Sequence, residues 1–480
     1  MGFHELDPAH KHRRWYGERW KLTVFIGLLV SLLLLGLYFL LQYLIIPAII
    51  RRIITQQSLL LPGSRTMENW MNPKYKMQFK VISAKNGTIS FRRKILYHFN
   101  ATDSCDDCAL DNRVLVPNII YQKIVEVVSR PHMGLAARTL TAMSPFIELP
   151  VEEILFKGYK DPYLVHMNNS YIEGEYTIKD GTHDIMTRAD VITFERMPKL
   201  REEWWTNEAA RTIRGNEGTL FHPFINRDEQ LWTFANQLCR SLPLAFVSES
   251  SYREVALYRF NVPPDEFDTS HPERLGYCHP TEKIFYLQQR AEMNERHCYP
   301  RGIIPVAACR PNRPPVVLSM PNFNYAPDEI KQSVKGLEEA NEDRDSIYVD
   351  VQPDLGVPFV AHRRMQLNVE FWEGKEIKFP AYHQTLHSTL IPIAVVHDDA
   401  EIDDATYNII KSELIDSKRI ASRATTIILW SAFAVALLSL IYGAYKLSWL
   451  NRCLPARLRP RSSSTASTTS STRPTISPIL

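Results

Sequence analysis

Two long uncharged runs constrain this chain more than anything else in it. Leu22–Ile50 is a stretch of 29 consecutive uncharged positions rich in Leu, Ile and Val, and Ala424–Tyr445 is a second of 22. A helix climbs about 1.5 Å per residue, so about 20 apolar residues cross the bilayer core. The first run is too long for a signal-peptide core and no small-residue cleavage site follows it, so it reads as an uncleaved anchor. The expected organisation is an N-tail 1–21, a span 22–50, an enclosed segment 51–423, a span 424–445 and a C-tail 446–480. Both tails then lie on one side of the membrane. The mean hydropathy of −0.22 belongs to an ordinary soluble protein only because it averages over these parts.

The net charge of +3, from 56 Lys+Arg against 53 Asp+Glu, gives no electrostatic footprint for nucleic acid. Its distribution says more. Residues 51–445 hold 45 Lys+Arg and 50 Asp+Glu, while both tails are basic, as cytoplasmic tails tend to be. Arg51, Arg52, Lys418, Arg419 and Arg423 flank the spans on the other side and weaken that argument. The glycosylation sequons settle the orientation better: Asn86-Gly-Thr, Asn100-Ala-Thr and Asn168-Asn-Ser all fall in the middle segment. Six of the seven cysteines, Cys105, Cys108, Cys239, Cys278, Cys298 and Cys309, fall there too. An even number in an oxidising compartment implies up to three bridges, with 15 connectivities open. The middle segment is expected to be lumenal or extracellular.

Within it, Tyr75–Ile82 and Thr88–Phe91 read as strands around an Asn86-Gly87 turn. Ile119, Ile120, Ile124, Val127 and Val128 follow helical spacing, so 117–160, punctuated by Pro131, Pro145 and Pro150, is expected to be several short helices. From 161 to 420 short strands and Pro-rich turns dominate, and the acidic run Glu338–Asp345 reads as a solvated loop. The Ser/Thr-rich tail from Ser462 is expected to be disordered.

No nucleotide-binding glycine loop, nucleophile elbow or HExxH motif occurs, so no catalytic, cofactor or metal residue is assigned and the chain is read as a non-enzyme. Cys105-Asp-Asp-Cys108 fits a redox pair, a metal knuckle or a local disulfide; the last needs no further ligand or helix and is preferred. Cys453, just past the second run beside Arg452, is a candidate for palmitoylation.

Several stretches, taken in order, resemble the class B scavenger receptors, the family of the fatty-acid translocase, the high-density-lipoprotein receptor and the lysosomal integral membrane proteins. They are Glu152–Pro162, Cys239-Arg-Ser-Leu-Pro-Leu244, Tyr258-Arg-Phe260, Tyr277-Cys278, Cys298-Tyr-Pro-Arg-Gly-Ile-Ile304, Val317–Phe323, Tyr348–Gly356 and Arg364–Val369. The matches cover roughly 150–370, and it is their joint order that is specific. The resemblance implies an α+β membrane protein: two transmembrane helices enclosing an antiparallel β-barrel-like ectodomain, with a helical apex bundle at 117–160 and an apolar tunnel. It also implies the pairs Cys239–Cys309 and Cys278–Cys298, leaving Cys105 with Cys108.

Three departures mark a divergent, invertebrate-like member. His279 and Asn322 replace residues usual in the family, and a stretch of roughly 35 residues is expected to be missing before Tyr75, which leaves a sheet edge to be closed some other way. The implied function is a receptor that binds fatty acids, sterol esters, phospholipids or lipoprotein-like particles and passes lipid through the tunnel to the membrane, with no cofactor. Lys123, Arg130, Arg138, Lys157 and Lys160 are the candidate cations for anionic ligands at the apex. The alternatives are a lysosomal or endosomal membrane protein that docks a lumenal enzyme, and a two-span ligand-gated channel subunit. A C-tail without Asp or Glu lacks an acidic dileucine signal and favours the plasma membrane. Self-association is compatible with each reading.

Overall fold

In the computed structural model, which describes residues 8–61, 77–95, 98–128, 140, 143–159, 174–285, 296–373 and 387–453, both uncharged runs are helical. The first helix, Pro8–Leu40, passes through a π-helical turn, Leu41–Ile45, into Ile46–Gln57; the second is Ser417–Cys453. The stretches Arg19–Gln57 and Asp404–Trp449 are long and apolar enough to cross a membrane. Small residues bring the two helices together within their unit, Met1–Ile50 with Asp416–Leu480. A Cβ on Gly27 would stand 2.0 Å from Ser439 Oγ. Ser31 Oγ donates to the Ala432 carbonyl at 2.9 Å, and Thr425 Oγ1 donates to Gln42 Oε1 at 2.8 Å.

The other unit, Arg51–Ile415, is built on sheets. β1 (Met77–Lys85) and β2 (Thr88–Ile95) form a hairpin, because Asn86 and Gly87 at φ 52° and 78° make the left-handed turn that such a connection needs. β3 (Arg113–Pro117) and β4 (Phe146–Pro150) form a separate ribbon. β5 (Tyr176–Lys179) and β6 (Val191–Phe194) complete a four-stranded antiparallel sheet in the order β1-β2-β5-β6.

The large sheet comprises β7 (Leu231–Ala235), β8 (Arg240–Tyr252), β9 (Val255–Asn261), β10 (Ile303–Pro305), β11 (Val316–Ser319), β12 (Tyr348–Gln352), β13 (Val357–Phe371) and β14 (Thr389–Glu401). β13 organises it. β14 pairs along Val360–Phe371, while β12 pairs with Val357–His362 and β11 with Gln366–Val369. Because β14 overlaps both, β12 and β11 lie end to end on the opposite side of β13.

The β-barrel-like ectodomain expected from the resemblance is not closed by the described strands. They make three separate antiparallel sheets, and among the described residues the edge strands of the large sheet, β10, β7 and β14, do not pair with those of the small one. The helical reading of 117–160 also needs amendment. Ile119–Val128 is a helix, but Phe146–Pro150 is β4 and Glu153–Lys157 a π-helical turn. The stretch before Tyr75 lies outside the described residues. The run read as a solvated loop ends in the short helix Glu342–Asp345, and Asp345 is buried, accepting from Asn341 N–H and from Arg344.

Alternation along the strands sorts the large sheet into two faces. Leu242, Leu244, Phe260, Leu318, Val349, Val351 and Val369 share one apolar cluster with the half-buried Met365 and Leu367. On β13 the intervening Arg364, Gln366, Asn368 and Glu370 are buried as well, at 5%, 1%, 0% and 2% exposure. Buried polar groups need partners, and these have them. Gln366 Nε2 donates to Asn368 Oδ1 at 2.8 Å, Asn368 Nδ2 donates to Ser319 Oγ at 3.0 Å, and Arg364 grips Asp399 at 2.7 and 3.0 Å.

A second core packs around the small sheet, with Phe91, Tyr176, Phe194, Trp205 and Phe234. Arg188 is buried beside it. Its guanidinium donates to the carbonyls of Ser58 (3.0 Å), Phe221 (3.1 Å) and Leu355 (2.5 Å), tying three distant segments together. Burial pulls its pKa down to about 9, which leaves it charged at neutral pH. Gly356 sits next to this knot at φ 68°, where a Cβ would meet the His222 carbonyl oxygen at 2.1 Å, so no side chain fits.

Candidate functional site

Ile119–Val128 is the helix on which the apex expectation rests, and Asn118 starts it. Its Oδ1 accepts from the N–H groups of Ile120 (3.2 Å) and Tyr121 (3.1 Å), while its Nδ2 donates to the Ser144 carbonyl. Tyr121, Gln122 and Val125 form the buried face. Gln122 Oε1 accepts the N–H of Trp372 at 3.1 Å, which pins the helix to the end of β13.

On the other face begins a chain of charges that runs inward. Lys123 Nζ lies 3.3 Å from Glu126 Oε2, which lies 3.6 Å from Lys283 Nζ. Lys283 binds Glu370, and Glu370 also accepts from the Tyr299 hydroxyl. Side-chain exposure falls along the series, from 30% at Lys123 to 23%, 14% and finally 2% at Glu370. Burial and the neighbouring Glu370 push the Tyr299 hydroxyl well above the usual tyrosine range, so it stays protonated and donates. Lys283 also faces the Trp372 ring at 6.0 Å, and Phe371 stacks on Phe146 at 5.1 Å. Each charge meets its opposite within the protein, so the array anchors the helix to the sheet. It carries no nucleophile–base pair.

The candidate ligand cations fall unevenly. Lys123 is held by Glu126 and by the Arg313 carbonyl at 2.8 Å, and Lys157 pairs with Glu152 at 2.6 Å. Arg130, Arg138 and Lys160 lie outside the described residues, as does Asn168. Asn86 is exposed at the hairpin turn. Asn100 is exposed too, its Oδ1 accepting from Thr102 N–H at 3.1 Å. Cys453 ends the second long helix. The bridges are Cys105–Cys108, Cys239–Cys309 and Cys278–Cys298. Nothing in the sequence announces Glu126, Lys283, Tyr299 and Glu370, because they come from three separate parts of the chain with no telling spacing.

Near the bridges, a crevice lined by Trp205, Arg240, Phe267, Tyr277 and Ile304 has a volume of about 10 Å³, room for one water. His279, which follows Cys278, packs against Trp205 at 5.1 Å, with Nε2 at 2.6 Å from the Trp204 carbonyl. Burial lowers its pKa below 6.5, and Arg313 adds to this, against the opposing carbonyl. The folded protein thus resists the proton that the unfolded chain accepts. Stability is therefore full above about 6.5 and is lost as pH falls from there through the lower folded value. We expect the thermal midpoint to drop over that window, and His279→Gln to flatten the slope while shifting the neutral-pH midpoint itself.

Two helices long and apolar enough to cross a membrane, and a disulfide-bonded antiparallel unit, fit a membrane-protein class. Residues 81–443 match the CD36 family. The chain belongs to that family, the class B scavenger receptors. It is 25% identical over 348 residues to lysosome membrane protein 2 of Rattus norvegicus, covering 68% of each chain. For the Mus musculus protein of that name the figures are 26% over 357 residues and 68% of each. Sensory neuron membrane protein 1 of Pediculus humanus subsp. corporis is 25% identical over 345 residues, 63% of this chain and 62% of the relative.

Proposed function

We propose that the chain is a scavenger-type receptor that binds lipids or lipid particles and passes lipid along an apolar interior to the membrane. The observation that carries this reading is the match of residues 81–443 to the CD36 family, and the apolar face of the large sheet is the interior such a path would follow. Leu244, Phe260, Leu318, Val349 and Val369 line it without an intervening charge, while the polar residues of β13 are sorted to the other side. A long acyl chain gains about 0.8 kcal/mol for each CH₂ removed from water, so an apolar path suffices and no catalytic group is required. The tails are cytoplasmic in this reading, the 51–423 segment is outside or lumenal with glycans on Asn86, Asn100 and Asn168, and Cys453 is acylated.

Initial capture by apex cations has less support, since Lys123 and Lys157 already hold carboxylates. The likeness to lysosome membrane protein 2 favours a second reading of location, a lysosomal or endosomal membrane protein, in which the apex would dock a lumenal enzyme. The deciding experiment titrates the purified full-length chain in nanodiscs with a fluorescent long-chain fatty acid and a fluorescent sterol. Saturable binding, displaced by unlabelled fatty acid, is expected. A folded sample that shows none eliminates the lipid reading and leaves the docking one.

A further inference from the structure

The segment from Asn100 to Asn112 carries four aspartates, Asp103, Asp106, Asp107 and Asp111, and no Lys or Arg before Arg113. In its centre Cys105 and Cys108 are bonded across a turn closed by Cys108 N–H donating to the Cys105 carbonyl at 2.9 Å. Every residue from Cys105 to Cys108 is exposed. Each of the other two bridges has one buried member, Cys239 at 1% exposure and Cys278 at 6%, and one half-buried member, Cys309 and Cys298. Thiol–disulfide exchange requires a thiolate to reach one sulfur in line with the bond while the other departs. Only the Cys105–Cys108 bridge presents both sulfur-bearing residues to solvent.

We propose that Cys105–Cys108 is a thiol-exchange site selective for small cationic thiols, the aminothiol class. An external thiolate forms a bond to one cysteine sulfur, the Cys105–Cys108 bond breaks, and the departing sulfur leaves as a thiolate that takes a proton from water. A second aminothiol then attacks the external sulfur of the mixed disulfide. The products are two cysteine thiols and one oxidised aminothiol dimer, two electrons having passed from two thiols to the bridge. Selectivity follows from the aspartates. Consecutive Cα atoms are about 3.8 Å apart, so Asp106 and Asp107 lie within about one Debye length, roughly 8 Å at physiological salt, of either sulfur. Their field concentrates a cationic thiol and repels an anionic one.

The same surroundings separate this pair from a dithiol catalyst. No helix begins at Cys105 to stabilise a thiolate there, so the bridge is a target of exchange rather than an exchanger. Opening it has a local consequence. Leu110 and Asn112 in the same loop accept the N–H groups of Glu152 and Val151, each at 2.9 Å, so the loop is fastened to the turn that ends at Lys157.

The test treats the full-length protein in detergent with cysteamine, 2-mercaptoethanol or 2-mercaptoethanesulfonate at equal thiolate concentration, then traps free cysteines with an isotopic alkylating reagent for peptide mass spectrometry. Cys105 and Cys108 should be trapped about tenfold or more sooner than the other four bridged cysteines, as exposure dictates. Cysteamine should lead the sulfonate several-fold in dilute buffer, and the gap should close when salt shortens the Debye length to a few ångströms. Asp106→Asn/Asp107→Asn should remove the preference for cysteamine while exchange with 2-mercaptoethanol continues. Equal trapping of all three bridges, or a charge order absent or indifferent to salt, overturns the proposal. Neither outcome bears on lipid binding.

Discussion

Replacing Glu370 with leucine should destabilise the Arg51–Ile415 unit by about 3–5 kcal/mol, the cost of leaving a buried ion pair half made. Lys283 would lose its deepest partner and keep only Glu126, 3.6 Å away, while the buried Tyr299 hydroxyl would lose its acceptor. Lys283→Met should cost a similar amount for the opposite reason, stranding a carboxylate that is 2% exposed. Lys283→Met/Glu370→Leu should recover most of the loss, because removing both charges removes both desolvation costs. Chemical unfolding of the four proteins, full-length and in one detergent, closes the double-mutant cycle. Additive losses in the double variant would show that the two groups act independently and would defeat the picture of a single inward chain of charges. Because the chain begins at Lys123 on the helix surface, the single variants should also loosen Ile119–Val128, read as faster amide exchange there.

That chain of charges also shows how far the sequence can be read. The uncharged runs were legible because hydropathy alone defines them, and the helices merely extend further, to Pro8 and Gln57 at one end of the chain and from Ser417 to Cys453 at the other. The β1–β2 hairpin was legible because Asn86-Gly87 fixes it locally. β4 was not. Phe146–Pro150 lies among residues of helical period, and only pairing with Arg113–Pro117, some thirty residues earlier, makes it a strand. β13 misleads in another way. Arg364-Met-Gln-Leu-Asn-Val-Glu370 alternates as a half-solvated strand does, yet its polar members are buried on partners from Ser319, Lys283 and Asp399. Asp345 misleads likewise, since an acidic run gives no hint that one of its members is fully buried. In each case a non-local partner reverses what local composition suggests, and the candidate site is made almost entirely of such partners.

The bridges invite the second large prediction, because chain entropy and burial rank them in the same order. Cys239–Cys309 closes a loop of 70 residues. Cys239 belongs to the core around the small sheet, and Cys309 packs against both cores. The Cys239 backbone is itself anchored, at φ 55° and with its carbonyl accepting from Trp205 Nε1 at 2.6 Å. Cys239→Ser/Cys309→Ser should therefore cost about 4 kcal/mol from loop entropy alone. Buried hydroxyls in place of sulfur add to that. Cys105→Ser/Cys108→Ser opens a separation of only three residues in an exposed loop and should cost roughly half as much or less. Unfolding midpoints of the full-length variants, compared under identical non-reducing conditions, give the order directly. Should the exposed pair prove as costly as the buried one, the Cys105–Cys108 loop would be a structural staple, and an exchange reaction there would unfold the protein rather than modify it.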